Sequence, residues 1–332
     1  MSIQIIAWIV FFAFVFLMLA LDLGVFNRKA HEIKVREALL WTAFWVILAM
    51  LFCLGVYFIE GHQKALEFLT AYLIEESLSV DNLFVFLMIF NYFAVPGKYE
   101  HKALFWGILG ALILRGVFII TGVALIQRFH WLIYVFGAFL ILTALKMAFG
   151  KGQDIHPEKN PILGLLRKVM PMAGSYDKGH FFVRKEGRWF ASPLFAVVLV
   201  LETTDVVFAV DSIPAVLAVS RDPFIVYTSN VFAILGLRSL FFALSGMMRL
   251  FCYLHYGLVV VLSFVGIKML VSKFYTIPIA LSLAIVAGVL LLSVLLSFVW
   301  PRNVENHPDL SAAQVDYRES LSERGGNHEG RK

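Results

Sequence analysis

The chain has 332 residues, of which 60% are hydrophobic and only 15% are charged, and its mean hydropathy is +0.82. A water-soluble core does not need that much apolar surface, so the composition excludes a soluble globular protein and predicts a polytopic integral membrane protein. The formal net charge is +5. It comes largely from the connections between apolar segments, which suits anionic lipid headgroups and gives no reason to propose nucleic-acid binding.

Nine apolar segments are long enough to cross a bilayer, because a spanning helix needs about 20 mostly apolar residues. The first segment has no basic residue before it and no small-residue cleavage site, so we interpret it as a retained helix rather than a signal peptide. The predicted fold class is all-α, a polytopic membrane helix bundle. The predicted spans are 6–23, 40–59, 66–93, 103–126, 131–149, 190–219, 225–246, 252–272 and 277–300.

The connections alternate in their lysine and arginine content, and the first, third and fifth are the basic ones. Short basic loops stay in the cytoplasm, so nine spans predict an N-terminus outside and a C-terminus inside. The long fifth connection, 151–189, is a predicted cytoplasmic loop with a short amphipathic helix around 163–169. The polar tail, 301–332, is predicted to be disordered.

Two of the spans carry carboxylates at bilayer depth, where each costs roughly 2.5 to 3.5 kcal/mol on insertion scales. Asp22 adds a seventh acid near the first span, and Arg115 and Arg238 are the central bases, which leaves an excess of five negative charges. Such an excess persists only if something compensates it, and a divalent cation is the economical compensator. The six span acids are Glu75, Glu76, Asp81, Glu202, Asp205 and Asp211.

The ligand types point to a hard metal ion. The amide of Asn82 and the hydroxyls of Ser79 and Thr203 accompany the carboxylates, without a central histidine or a cysteine at metal-ligand spacing. Oxygen ligands of this kind suit manganese, magnesium or calcium over zinc or copper. Arg115 and Arg238 could gate this site or restrain its empty carboxylates, and the alternative is a static salt bridge that holds helices together.

The chain contains an internal repeat. The sequence VDNL at 80–83 matches VDSI at 210–213, another acid lies six residues before each aspartate, LR at 114–115 matches LR at 237–238, and KM at 146–147 matches KM at 268–269. Three helices per unit invert the second unit relative to the first, which predicts a three-plus-three inverted repeat with substrate at the midplane. The alternative is chance similarity of apolar segments. The predicted organisation is a two-helix extension (1–65), the first repeat (66–150), the loop (151–189), the second repeat (190–273), a final helix (274–300) and the tail (301–332).

Helix geometry constrains the second acidic span. At about 100 degrees per residue, Glu202, Asp205 and Asp211 point to three sides of one straight helix, so they cannot all face one partner. Pro214 cannot donate a hydrogen bond to the carbonyl of Val210, so the helix should kink or open beside Asp211 and free a carbonyl as a cation ligand. The alternative is an ordinary membrane-helix kink.

Five segments together carry a family resemblance. They are LDLGVFNR at 21–28, EESLSVDN at 75–82, ETTD at 202–205, FAVDSIPA at 208–215 and LGLRSLFF at 235–242. In this order they resemble the signature segments of the TerC family of Alx-type membrane proteins, over about residues 8 to 300. The resemblance implies a bacterial inner-membrane protein related to lysine-exporter-like transporters, associated with tellurite resistance and manganese export. It also implies that Glu75, Asp81, Glu202, Asp205 and Asp211 handle the metal.

The predicted function is secondary transport of a divalent metal, Mn²⁺ first, out of the cytoplasm. The metal is substrate, no permanently bound cofactor is expected, and protons are the expected coupling ion, because the sequence has no Walker-type phosphate loop to supply ATP energy. Two alternatives stay open: a partner protein in a membrane stress complex, and an enzyme or metal-delivery factor with the same metal site. No paired nucleophile and base lies in the spans, so an enzyme is not the prediction.

Overall fold

The computed structural model describes residues 3–21, 35–149, 161–173, 176, 179–185, 188–245, 253–275 and 277–300. In these ranges the chain folds into a bundle of ten α-helices with one short β-hairpin. The elements are α1 (Ile3–Leu21), α2 (Val35–Glu60), α3 (His62–Tyr92), α4 (Gly97–Arg128), α5 (Leu132–Phe149), α6 (Pro161–Val169), β1 (Phe182–Lys185), β2 (Arg188–Ala191), α7 (Pro193–Leu217), α8 (Pro223–Ser245), α9 (Leu254–Val271) and α10 (Ile279–Val299).

Seven helices of the described chain are long and apolar enough to cross a membrane: α2, α4, α5, α7, α8, α9 and α10. The apolar part of α1, residues 5–20, is shorter, and α3 has 31 residues but carries several acids. The predicted all-α polytopic membrane bundle is confirmed. The count of nine spans stays a prediction.

The helices of the two predicted repeats pack across one another. α3 packs on α8 and α4 on α7, α5 packs on α9, and α3 contacts α9 as α5 contacts α7. The predicted repeat equates α3 with α7, α4 with α8 and α5 with α9. Under this exchange the α3–α8 pair becomes α7–α4, the α3–α9 pair becomes α7–α5, and the α5–α9 pair becomes itself. The inverted repeat itself stays a prediction of the sequence.

The close packing of α5 and α9 depends on two glycines. A Cβ atom on Gly137 would lie 2.9 Å from the carbonyl oxygen of Gly266, and one on Gly266 would lie 2.8 Å from the carbonyl oxygen of Gly137. Small residues let the backbones of membrane helices approach this closely. At the other end of α5, Nε2 of His255 lies 3.1 Å from the carbonyl oxygen of Met147, so the two helices run antiparallel.

The connection between α5 and α7 is folded onto the bundle where described. Leu163 of α6 is fully buried, the hydroxyl of Tyr176 donates to the carbonyl of Phe93 at 2.7 Å, and Lys102 donates to the carbonyl of Gly179 at 2.8 Å. The predicted amphipathic helix is confirmed as α6. The sequence analysis did not predict the hairpin. A signal was present, because only two residues separate β1 from β2 and the second of them is a glycine.

An ion-pair network ties the start of α3 to the connection between α7 and α8. Nζ of Lys64 lies 3.2 Å from Oε2 of Glu67 and 3.0 Å from Oδ2 of Asp222. Burial by itself lowers the pKa of Lys64, but hydrogen bonds to Asp222 and Glu67 outweigh it, and the pKa lies above its ordinary value. Because these groups are partly exposed, each pair contributes only about 0–1 kcal/mol.

Candidate functional site

The six predicted span acids lie on two helices that pack against each other, α3 and α7. The start of α7 is set locally: the hydroxyl of Ser192 accepts a hydrogen bond from the backbone N–H of Phe195 at 3.3 Å, and Pro193 occupies the first turn. These are the residue types that open helices, since serine satisfies a free N–H group and proline needs none. The cap at Ser192 therefore defines where α7 begins, and with it the positions of the acids along the helix.

Arg115 on α4 joins two of the acids. Its Nε donates to Oδ2 of Asp205 at 3.1 Å, and its terminal Nη2 donates to Oδ1 at 2.9 Å, which makes a bidentate pair with α7. Its other terminal nitrogen is ion-paired with Oε1 of Glu75 on α3. All three side chains are at most 6% exposed. We call Glu75, Arg115 and Asp205 the Arg115 triad.

The triad connects α3 and α4 of the first predicted repeat with α7 of the second. A buried pair of this kind is balanced between desolvation and attraction, so its presence does not by itself say that it stabilises the fold. Arg115 would occupy this position whether it restrains carboxylates that have lost their metal ion or forms a static salt bridge between helices. Its counterpart in the predicted repeat, Arg238, is also buried, on α8.

A second group of polar residues surrounds Asp211, which lies six residues before the end of α7. A cavity of about 20 Å³ opens here, and Thr143 on α5 donates to Oδ1 of Asp211 at 3.1 Å. The hydroxyl of Ser212 is buried and has no hydrogen-bond partner within the described chain. We call this space the Asp211 cavity. Its lining consists of Leu78, Asn82, Thr143, Met147, Phe208, Asp211, Ser212 and Leu262.

The cavity has the ligand chemistry of a hard cation. Its carboxylate, amide and hydroxyl oxygens are of the kind that manganese, magnesium and calcium prefer, and its volume fits one ion or water. In the part of the chain that the structure describes, no three histidine, cysteine, aspartate or glutamate residues converge as a metal-binding group. The side chain of Asp81 and all of Asp22 lie outside the described part.

The predicted ligands therefore fall into separate groups. Asn82 and Asp211 share the Asp211 cavity, whereas Glu75 and Asp205 belong to the Arg115 triad. The carboxyl group of Glu202 lies against α4 at Gly110, where a Cβ atom would overlap it, and its Oε2 has no hydrogen-bond partner among the described residues. The acids of α7 thus face different neighbours, as their helical spacing predicts.

The remaining candidate oxygen ligands, those of Thr203, Ser79 and Glu76, differ in whether they already have a hydrogen-bond partner. The hydroxyl of Thr203 donates to the carbonyl of Leu199 in its own helix at 2.6 Å, whereas Oγ of Ser79 and Oε2 of Glu76 are buried without a hydrogen-bond partner in the described chain. Thr203 is therefore occupied by its own helix. Ser79 and Glu76 are left with polar atoms that a ligand or a rearrangement would satisfy.

Pro214 does not end its helix. α7 continues as helix through Pro214 to Leu217, and the carbonyl of Pro214 accepts from the backbone N–H of Ala218 at 3.0 Å. The helix is therefore not interrupted at this position. A bend beside Asp211, with a carbonyl freed at Val210, stays a prediction.

Two cavity residues, Thr143 and Met147, escaped the sequence reasoning. Both come from α5, which carries no acid. A signal existed in the sequence, because the two residues are four apart and share one helix face, and threonine is the polar member of an otherwise apolar turn. Nothing in the sequence indicated that this face meets α7.

These features define a polytopic membrane protein with charged and oxygen-bearing groups between its helices. A family model described as the integral membrane protein TerC family matches residues 60–305. The chain therefore belongs to the TerC family, and the predicted resemblance is confirmed.

Curated relatives cover most of the chain. An uncharacterized membrane protein of Myxococcus xanthus, STKORF319, is 51% identical over 296 residues, which are 89% of this chain and 93% of the relative. The Escherichia coli K12 protein named "Putative membrane-bound redox modulator Alx" is 46% identical over 299 residues, 87% of this chain and 93% of the relative. An uncharacterized membrane protein of Rickettsia bellii is 36% identical over 293 residues, 88% and 97% respectively. No solved structure matches the chain.

Proposed function

We propose that the protein is a secondary transporter that exports a divalent metal ion, Mn²⁺ first, through the Asp211 cavity. The observation that carries this proposal is the cavity itself: a carboxylate, an amide and two hydroxyls line a space of about 20 Å³ between the helices of a membrane bundle. Secondary transporters hold their substrates in polar spaces between two repeated helical units, and the cavity lies between helices of the two predicted repeats. Membership of the TerC family agrees with an ion-related role.

In the proposed site, Asp211 provides the charged ligand from α7, and Asn82 provides a neutral oxygen from α3. Asp81, the neighbour of Asn82 in the sequence, is the proposed second carboxylate. Two carboxylates would compensate a divalent ion, and the hydroxyls of Thr143 and Ser212 would replace part of its hydration shell.

The Arg115 triad has a supporting role in this proposal. The guanidinium holds Glu75 and Asp205 in one geometry, so neither acid needs a metal ion to remain in the membrane interior. Glu202, whose Oε2 lacks a partner among the described residues as that of Glu76 does, is the proposed acid that completes or relays the site. Arg238, buried on α8, is the proposed second gating residue.

Export needs an energy source. Moving two positive charges outward against a negative-inside potential costs about 2.3 kcal/mol per charge per 100 mV. Proton antiport is the coupling we propose, because carboxylates that bind a proton release the metal. The proposal places the protein in the bacterial inner membrane as a transporter rather than an enzyme, with the N-terminus outside and the C-terminus in the cytoplasm.

The names of the relatives favour a second candidate. A protein named as a redox modulator could act without transport, as a partner in a membrane stress complex linked to tellurite resistance or as a factor that delivers metal to other membrane or exported proteins. A delivery factor would retain a metal site in the Asp211 cavity. Metal flux is therefore the property that separates the two candidates.

The test is Mn²⁺ flux into proteoliposomes with and without a proton gradient. The variants are Asp211→Asn and a matched control, Asp222→Asn, which makes the same chemical change at a partly exposed aspartate just before α8, outside the cavity. Gradient-dependent flux that is lost in Asp211→Asn and kept in Asp222→Asn supports the proposal. Metal binding without flux in the unmodified protein favours delivery, and equal flux in both variants overturns the assignment of the cavity.

A further inference from the structure

Among the described residues that line the Asp211 cavity, Met147 on α5 is the one with a sulfur-containing side chain. Met147 lies one helical turn after Thr143, so both side chains lie on the same face of α5, and Thr143 donates a hydrogen bond to Asp211. The thioether therefore belongs to the face of α5 that lines the cavity.

The backbone around Met147 is held in place. Its carbonyl oxygen lies 3.1 Å from Nε2 of His255 on α9, and because a carbonyl only accepts, the imidazole N–H donates. Farther along the same interface, Gly137 and Gly266 bring the backbones of α5 and α9 into close contact. The backbone position of Met147 is thus set by the packing of two helices rather than by a loop.

A thioether changes what a metal site prefers. Carboxylate, amide and hydroxyl oxygens suit Mg²⁺, Ca²⁺ and Mn²⁺ alike, so the oxygens of this cavity do not separate these ions by ligand type. A methionine sulfur is a soft, polarizable donor, which interacts with transition-metal ions and much less with Mg²⁺ or Ca²⁺. One sulfur among hard oxygens therefore biases a site toward transition metals.

We propose that Met147 is the specificity-determining residue of the Asp211 cavity. Its sulfur favours Mn²⁺ and softer divalent ions such as Cd²⁺ over Ca²⁺ and Mg²⁺. The oxygen ligands alone do not separate Mn²⁺ from Ca²⁺ and Mg²⁺ by ligand type. This inference rests on the proposed transport function, because it assigns the selectivity of that same site.

The chain offers a matched control. Methionine also fills gaps in apolar cores without binding anything, and Met269 occupies the equivalent position in the predicted repeat. Met269 is 3% exposed and packs beside Gly137 in the α5–α9 interface, not in the lining of the cavity. Leucine at either position conserves side-chain volume, and such exchanges usually cost less than about 1.5 kcal/mol.

The experiment measures Mn²⁺ flux in proteoliposomes against increasing Ca²⁺, Mg²⁺ or Cd²⁺ for the unmodified protein, Met147→Leu and Met269→Leu. We expect Met147→Leu to lower the preference for Mn²⁺ over Ca²⁺ at least about tenfold, the lower end of the losses seen when a group that supports a metal site is removed. Cd²⁺ should also compete less well in this variant. Met269→Leu should keep the preference of the unmodified protein.

An unchanged preference in Met147→Leu, with flux intact, overturns the role of Met147 and leaves the transport function standing. An unmodified protein that neither transports nor binds Mn²⁺ overturns the transport function instead. Met147→Cys supplies a test that does not depend on how well the leucine variant folds, because it keeps a sulfur donor at the site. This variant should retain or raise the preference for Cd²⁺ over Ca²⁺, and a fall in that preference contradicts the proposal.

Discussion

Replacing Arg115 with methionine removes the cation that two buried carboxylates share. The side chains of Glu75, Arg115 and Asp205 are at most 6% exposed, and the guanidinium contacts both acids. Methionine fills similar space with an apolar chain, so the main effect is the loss of the charge and its hydrogen bonds. We expect Arg115→Met to be among the most destabilising substitutions in the described part of the chain.

The magnitude follows from the number of charges left behind. Removing one partner of a buried ion pair costs about 3–5 kcal/mol, because the remaining charge stays in a low-dielectric interior. Here two like charges remain, so the expected loss in the free energy of unfolding lies at about the upper end of that range, 5 kcal/mol. Replacing the acids as well, in Arg115→Met/Glu75→Gln/Asp205→Asn, removes the uncompensated charges and should recover most of the loss.

The assay is unfolding in mixed detergent micelles, followed by tryptophan fluorescence, which yields the free energy of unfolding. Arg128→Met is the matched control, because Arg128 is an exposed arginine at the end of the same helix. Surface substitutions of this kind usually change stability by no more than about 0.5 kcal/mol.

Two results would refute the reasoning. Arg115→Met could be as stable as Arg128→Met, or the triple variant could be as unstable as Arg115→Met alone, and in either case the buried charges are not what destabilises the protein. A triple variant that recovers stability but not Mn²⁺ flux would assign the triad to transport as well as to folding.

Two further substitutions test particular contacts. Gly110→Ala places a methyl group where the carboxyl group of Glu202 lies, so we expect a loss of about 1–3 kcal/mol in the free energy of unfolding and weaker Mn²⁺ flux. Gly107→Ala, whose methyl group would meet a leucine side chain at 3.8 Å, should be tolerated, and equal effects of both alanines would contradict the contact. Tyr176→Phe removes the hydrogen bond to the carbonyl of Phe93, worth about 1 kcal/mol, and should speed proteolysis of the connection before α7, whereas an unchanged cleavage rate would show that this bond does not hold the connection.

The sequence by itself determined the class of the protein and the positions of its unusual charges. Hydropathy alone identifies membrane helices, because a bilayer requires long apolar segments whose backbone groups are satisfied internally. The same requirement makes acids such as Glu75 and Asp211 stand out, since a carboxylate in a span is costly and therefore rare. The motif order then identified the family, which the match over residues 60–305 confirms.

The tertiary structure decided which of these groups meet. Within α7, the helical spacing predicted that Glu202, Asp205 and Asp211 face different sides, but it could not say which helix lies on each side. The packing places Arg115 against Asp205, and Thr143 and Met147 beside Asp211.

The physical reason is the distance along the chain. Residues within one helix have relative positions set by 3.6 residues per turn, whereas Arg115 and Asp205 are 90 residues apart, and Thr143 and Asp211 are 68 apart. Their contacts depend on which apolar faces fit together and on where glycines allow a close approach, as at Gly137. The local pattern could therefore identify the acids, but only the packing of α4 and α5 against α7 separated the Arg115 triad from the Asp211 cavity.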